Sequence, residues 1–168
     1  MWDLIVSQFM DAGIQFDEFL SYTQEENHRW KEFFARHPEA FDLPLDIAGN
    51  VRELVRHIFA VELYFANQIT GAGKVNPEEL PSETLDEVFE ISEKAAKIYR
   101  EFFARAEPGE WAERVELGRI NLKASKRKLV AQALTHSMRH WAQISTFLRQ
   151  QGLKQGWRHD FLLSKAME

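Results

Sequence analysis

Two histidines four residues apart are the strongest chemical signal in the sequence. His136 and His140 would share one face of a predicted helix, about 6 Å apart. At that spacing both imidazoles can reach one cation, because zinc–nitrogen bonds are roughly 2.0–2.1 Å long. Gln132 and Gln143 continue the same face. This polar face is therefore either simply exposed to water or part of a site, since burying it in an apolar core would be unfavourable.

A third histidine, His57, lies in the middle of the most apolar predicted helix. A histidine there is commonly a core residue, but packing between its helix and that of His136 and His140 would bring it level with the pair. Three neutral imidazoles with an open position are typical of a catalytic metal site, in contrast to a closed four-ligand structural site. The remaining histidines adjoin polar or terminal stretches, and we interpret them as surface residues: His28, His37 and His159.

Several familiar active-site patterns are missing from the sequence. His136-Ser-Met-Arg-His140 has the spacing of the metalloprotease motif H-E-x-x-H, but Ser137 stands where the glutamate base would be. The Glu-x-x-His motifs of di-iron bundles are also missing. The chain has no cysteine, which excludes a disulfide scaffold, a thiolate metal site and a cysteine nucleophile. Any thiol chemistry would therefore need a small cosubstrate.

Glu53 and Gln143 are candidates for roles beside the metal. Glu53 lies one turn before His57 and could accept a proton or orient its ring, although we favour a capping role with Asn50. Gln143 could orient a metal-bound water or a substrate carbonyl, or hold His57 through its second nitrogen. A hydrogen bond from Gln143 to a polar residue of the first helix, such as Asn27, is an equal alternative.

The elements that must position these residues show a helical period. Four long amphipathic helices predict an all-α four-helix bundle, which we expect to form a single domain over residues 1–168. Near-alternation between residues 111 and 123 predicts a short hairpin before the last long helix, and the tail from 157 to 167 is predicted to pack as a terminal turn or helix. The predicted helices run from Leu4 to a stop at His37-Pro38, over residues 51–69, from a Thr84 capping box to Pro108-Gly109, and over residues 126–151.

The apolar stripe of the first predicted helix is interrupted by polar residues. Thr23, Glu26 and Asn27 would point at the core of a straight helix. Either the helix bends, from Gly13 onward, or these polar groups face a cavity. We favour the bend.

The segment 133–143, Ala-Leu-Thr-His-Ser-Met-Arg-His-Trp-Ala-Gln, together with His57, resembles the DinB/YfiT-like family of metal-dependent enzymes, which are four-helix bundles. The likeness covers nearly the whole chain, including residues 51–65 and 148–152 and the closing Asp160-Phe-Leu. In that family one histidine of helix 2 and two of helix 4 bind a divalent ion, usually zinc or nickel. The matching residues here are His57, His136 and His140.

The chain departs from the family pattern beside the last ligand. Relatives often have His-Arg-Gly-Gln where this chain has His140-Trp141-Ala142-Gln143. We expect Trp141 to remove a cation near the mouth of the site, which puts in doubt any anionic group that relatives hold there.

Composition and resemblance together narrow the function. The formal net charge of −5 argues against nucleic acid as a partner, and no apolar run is long enough to span a bilayer. No signal-peptide pattern is evident, so we expect a cytoplasmic protein; 13 Phe and 5 Trp predict a homodimer. The resemblance implies a metal-dependent hydrolase or a thiol-dependent transferase that acts on a small molecule, with a low-molecular-weight thiol as cosubstrate. The alternative is a non-catalytic metal-binding or stress-response bundle acting as an interaction protein.

Overall fold

Four long helices dominate the computed structural model, which describes residues 15–46, 48–118 and 121–166. The start of the first predicted helix at Leu4 and the proposed bend at Gly13 lie outside the described residues. The long helices are α1 (Phe16–Arg36), α3 (Val51–Thr70), α4 (Leu85–Arg105) and α6 (Lys126–Gln150), and the short ones are α2 (Pro38–Phe41) and α5 (Pro108–Ala112).

Local capping sets the starts of the three later long helices. The Asn50 side chain accepts a hydrogen bond from the backbone N–H of Glu53 at 2.8 Å. Thr84 and Glu87 form a reciprocal capping box, and the Ser125 hydroxyl accepts from the third residue of α6. The predicted bounds of these helices are therefore confirmed to within two or three residues.

Two small antiparallel hairpins connect the helices. The predicted hairpin before the last long helix is confirmed, as β3 (Arg114–Leu117) pairs with β4 (Leu122–Ser125). A second hairpin, β1 (Pro44–Leu45) with β2 (Gly49–Asn50), was not predicted and leads directly into α3.

The helix order in the bundle places α3 beside α6. Both α1 and α3 pack against α4 and α6, so the order around the bundle is α1, α6, α3, α4. One core cluster joins the first half of α3, with Phe59, to the second half of α6, with Ile144. The other cluster joins the second half of α3, with Phe65, to the first half of α6, with Leu134. Helices α3 and α6 are therefore antiparallel neighbours, and the expected all-α four-helix bundle is confirmed.

A buried polar network joins all four long helices. Glu62 of α3 accepts hydrogen bonds from Ser137 of α6 at 2.6 Å and from Ser92 of α4 at 3.2 Å. Asn27 of α1 donates to Ser92 at 2.8 Å and accepts from the indole of Trp141 at 2.9 Å. Because each buried group here has a partner, the network favours one alignment of the helices over shifted ones.

The interruption of the apolar stripe in α1 has a structural explanation. Thr23, Glu26 and Asn27 are all buried. Asn27 belongs to the polar network, whereas Thr23 and Glu26 line a cavity of about 350 Å³. Of the two alternatives, the cavity is therefore confirmed for Thr23 and Glu26.

The C-terminal tail packs against α1, as expected. The Tyr22 hydroxyl donates to the backbone carbonyl of His159 at 2.6 Å, and the indole of Trp157 donates to Glu26 at 3.3 Å. A single 3-10 turn, Phe161–Leu163, follows.

The aromatic side chains of the described residues are all at least partly buried. The bundle therefore accommodates these aromatic rings without an exposed cluster of them, so the aromatic count alone gives little support for the predicted homodimer. Within the same residues, no helix combines the length and apolar character needed to cross a bilayer.

Candidate metal centre

Helices α3 and α6 bring the three predicted ligands together at the surface of the bundle. The ring centroid of His57 lies 5.1 Å from that of His136 and 5.3 Å from that of His140. One ring nitrogen from each residue lies within 4.8 Å of the other two. The Nε2 atoms of His136 and His140 are 3.1 Å apart, close to the roughly 3.3 Å expected for two nitrogens on one tetrahedral zinc. The triad can thus close on an ion through small side-chain movements.

The triad is open on one side. His57 is exposed, whereas His136 and His140 are partly buried. His57 is therefore not a core residue, although it belongs to the most apolar helix. Gln132 and Gln143 are also exposed, so the polar face of α6 meets solvent, and the three histidines converge on that face.

Gln143 orients one ligand. Its Oε1 lies 2.6 Å from Nδ1 of His140, and a carbonyl oxygen can only accept a hydrogen bond there. The proton is thereby held on Nδ1, which leaves Nε2 of His140 unprotonated and directed at His136. Gln143 thus contacts His140 in place of the expected partners His57 or Asn27.

The surroundings of His136 suit a metal ligand. Its Nδ1 is buried and has no hydrogen-bond partner among the described residues. Burial, followed by the neighbouring His140 and His57, lowers the pKa of His136 to about 4. Burial and His140 also lower the pKa of His57. Both rings are therefore neutral at pH 7, as metal binding requires, and three nitrogen donors suit zinc, nickel or copper.

Glu53 has a different partner from those considered. Its carboxylate accepts two hydrogen bonds from the guanidinium of Arg56, at 2.9 and 2.6 Å. The favoured capping role with Asn50 is confirmed for the Glu53 backbone, while the side chain does not complete the reciprocal half of a capping box. In the described parts of the chain no carboxylate lies within ion-pair distance of a triad ring.

Trp141 does not lie at the mouth of the site, so the expected loss of a cation there is wrong. Its side chain is 4% exposed, and its indole stacks on Trp30 with centroids 4.9 Å apart. Adjacent residues of a helix point about 100° apart, so Trp141 faces α1 while His140 faces solvent. Arg56 and Arg139 are close enough to lower the pKa values of His57 and His136, and so provide positive charge near the site.

Glu62 and Ser137 form a buried pair behind the triad that sequence reasoning missed. Ser137, which follows His136, donates to Glu62 from the interior side of α6. Burial raises the pKa of Glu62 to about 7, against the opposing effect of its hydroxyl partners Ser137 and Ser92. The sequence does contain a signal for this pair, because Glu62 is a lone carboxylate on the core face of a predicted helix.

The prediction that three histidines are surface residues is correct for His28 and His37 and wrong for His159. The His159 ring is 24% exposed and hydrogen-bonds through Nδ1 to the buried carboxylate of Glu26. Its partner lies 133 residues earlier in the chain, which no local pattern could reveal.

The comparison with known protein families gives one match. A model of the DinB family matches residues 7–167. The matched range includes His57, His136 and His140, the residues that the structure brings together. No curated protein matches the chain.

Proposed function

The chain belongs to the DinB family, and from that premise we propose that it is a metal-dependent enzyme. His57, His136 and His140 would bind one divalent ion, zinc or nickel, and leave a coordination position open. The observation that carries this proposal is the convergence of three ring nitrogens within 4.8 Å, two of them already 3.1 Å apart.

The residues around the triad have separable roles in such an enzyme. An ion here would supply a Lewis acid that lowers the pKa of a water and deprotonates a coordinated thiol outright. Gln143 keeps His140 in the tautomer that can bind. The positive charge of Arg139 would attract an anionic substrate to the open side, whereas the charge of Arg56 is paired with Glu53.

The surroundings of the triad favour a thiol-dependent transferase over a hydrolase. No carboxylate in the described residues contacts the triad, so the chain offers no evident general base beside the open position. A thiol needs no such base, because coordination alone removes its proton. Since the chain has no cysteine, the thiol would be a low-molecular-weight cosubstrate.

The absence of a base also favours the alternative function, a metal-binding bundle without catalytic activity. Thiol binding separates the two. In the cobalt-substituted protein, addition of glutathione should produce a thiolate-to-cobalt charge-transfer band if the open position accepts a thiol. A loaded protein whose spectrum does not change would contradict the transferase proposal and leave metal binding intact.

The metal site itself is tested by metal analysis of protein purified without a histidine tag. We expect about one tightly bound ion per chain, and a large loss in His57→Ala. His28→Ala is the matched control, because His28 is an exposed histidine paired with Glu32 outside the triad. If H57A retains a full equivalent of metal, the triad assignment is wrong.

A further inference from the structure

The cavity lined by Thr23 and Glu26 lies on the side of α6 opposite the triad. It has a volume of about 350 Å³, is partly open to solvent and is lined by residues of α1 and α6 and by His159 of the tail. At 3.6 residues per turn, cavity residues such as Met138 and Ser145 point about half a turn away from His136. The two regions therefore share a helix but not a surface.

The buried carboxylate of the cavity is already saturated. Glu26 accepts hydrogen bonds from Arg29 at 3.2 Å, from the indole of Trp157 at 3.3 Å and from Nδ1 of His159. It therefore cannot serve as the group that recognises a ligand, and it instead holds the tail in place as one wall.

Arg149 is the cation that remains available. Its Nε donates to Gln155 at 3.3 Å, and within the described ranges it forms no ion pair with a carboxylate. Its terminal nitrogens are therefore free to bind a ligand at the edge of the cavity. The planar guanidinium matches a carboxylate, which it can bind through two parallel hydrogen bonds.

The rest of the wall is largely apolar. Met138, Trp141 and Ala142 of α6 face Tyr22 of α1 across the cavity. A volume of about 350 Å³ lies at the lower end of the range for small-molecule pockets. Within the described residues, the cavity thus combines a largely apolar wall with the guanidinium of Arg149, which forms no ion pair.

We propose that this cavity binds a small organic carboxylate. Arg149 pairs with the carboxylate, and the apolar body of the ligand lies against Met138 and Trp141. This site is independent of the proposed metal centre, because none of its residues belongs to the triad.

The polar residues of the cavity do not favour acyl transfer, although Glu26, His159 and Ser145 stand in the order of a hydrolase triad. Ser145 Oγ lies 3.5 Å from Nε2 of His159 but donates to Gln155 at 3.0 Å. Ser145 is also in the interior of α6, where backbone N–H groups are used by the helix and cannot form an oxyanion hole. The geometry points to binding without chemistry.

Methyl NMR of methionine-labelled protein tests the proposal, using 2-naphthoate as the probe and the neutral 2-naphthamide as its matched control. The chain has only four methionines, and among the described residues Met138 lines the cavity. We expect 2-naphthoate to shift the Met138 methyl resonance with a Kd below about 1 mM, and the amide to bind at least about tenfold more weakly. Equal affinity for the two probes, or no shift at Met138, would overturn the proposal.

Four variants locate the binding. Arg149→Gln should weaken 2-naphthoate about tenfold or more, whereas Arg127→Gln removes the same charge from an exposed position of α6 and should change nothing. Ala142→Phe should block the cavity without altering Arg149. His136→Ala should bind 2-naphthoate normally. Normal binding by both R149Q and A142F, or loss of binding in H136A, would contradict the site.

Discussion

Histidines with opposite surroundings lie on the two sides of α6: His136 on the helix itself and His159 on the tail. On the solvent side, His136 faces two further imidazoles and, in the part of the chain that the structure describes, no carboxylate; burial and these neighbours lower its pKa to about 4. On the cavity side, His159 hydrogen-bonds to the buried carboxylate of Glu26. The first arrangement leaves neutral rings with lone pairs for a metal. The second commits the ring to holding the tail. Burial and the groups that contact each ring, more than residue type, thus decide what each histidine can do.

The two sides also differ in how they are built. His136 and His140 are placed by one helix turn, and only His57 must come from another helix. The cavity depends on α1, α6 and the tail meeting correctly, since Glu26 and His159 are 133 residues apart. We therefore expect changes on the triad side to affect metal binding, and changes on the cavity side to affect stability.

Alanine substitution of one histidine on each side of α6 should give the largest effects, on metal affinity for one and on stability for the other. His136→Ala removes a ligand, so metal affinity should fall by more than the roughly 10–100-fold typical of losing an outer-shell partner, with little loss of helix content. His159→Ala should keep metal affinity and lower the free energy of unfolding by about 1–3 kcal/mol, because Glu26 loses a buried partner. Metal titration and urea unfolding of the metal-free proteins measure both quantities. If H159A loses metal, the two sides are coupled and the comparison fails.

A second buried carboxylate, Glu62, tests whether charged partners decide how a buried carboxylate affects stability. Glu26 has a guanidinium and an imidazole, whereas Glu62 has only two hydroxyls, and burial raises its pKa from 4.5 to about 7. The folded state therefore binds this proton more tightly than the unfolded state, so its stabilising contribution is full below about pH 4.5 and is lost as the pH rises through 7.

Glu62→Gln should remove the loss of stability that wild type shows as the pH rises through 7. Relative to wild type, the variant should gain up to about 3 kcal/mol of unfolding free energy between pH 5 and pH 8, the equivalent of the raised pKa. Every other ionisable group is present in both proteins, so its contribution cancels in the difference. Glu90→Gln, at an exposed position of α4, is the control and should show no such gain. A pH-independent difference for E62Q would mean that Glu62 ionises in the folded protein as it does in the unfolded chain.

Substitution of Gln143, which hydrogen-bonds to His140 of the triad, should have a smaller effect on metal affinity. Gln143→Leu removes the acceptor that holds His140, so metal affinity should fall about 10–100-fold. Melting of the metal-free protein should hardly change, because Gln143 is exposed. Gln132→Leu, on the same face without a hydrogen bond to the triad, is the matched control. A loss of melting temperature with unchanged metal affinity would remove Gln143 from the site.

Substitutions on either side of α6 should have the smallest effect on self-association, which we expect to be independent of both sides. We expect light scattering at micromolar concentration to give about twice the 19.7 kDa of one chain. H136A and H159A should have the same mass as wild type. A 19.7 kDa particle would remove the prediction of a homodimer.

The sequence by itself determined what depends on near neighbours in the chain. Helix starts at Asn50, Thr84 and Ser125 followed from capping side chains within three residues. The pairing of His136 with His140 followed from the helical period, which puts residues four apart on one face. Even the inward direction of Trp141 was contained in that period, although the expectation taken from the family pattern overlooked it.

Only the tertiary structure decided which faces meet. A helical period shows that a residue has an apolar or polar face, but it does not show which other helix covers that face or how far each helix is rotated. His57 was a candidate ligand from the sequence only through an assumed packing of its helix and the family resemblance, and it is the packing of α3 beside α6 that brings its ring to the pair. For the same reason His159 was taken for a surface residue, since the return of the tail to Glu26 brings together groups that are distant in the chain and leaves no local signal.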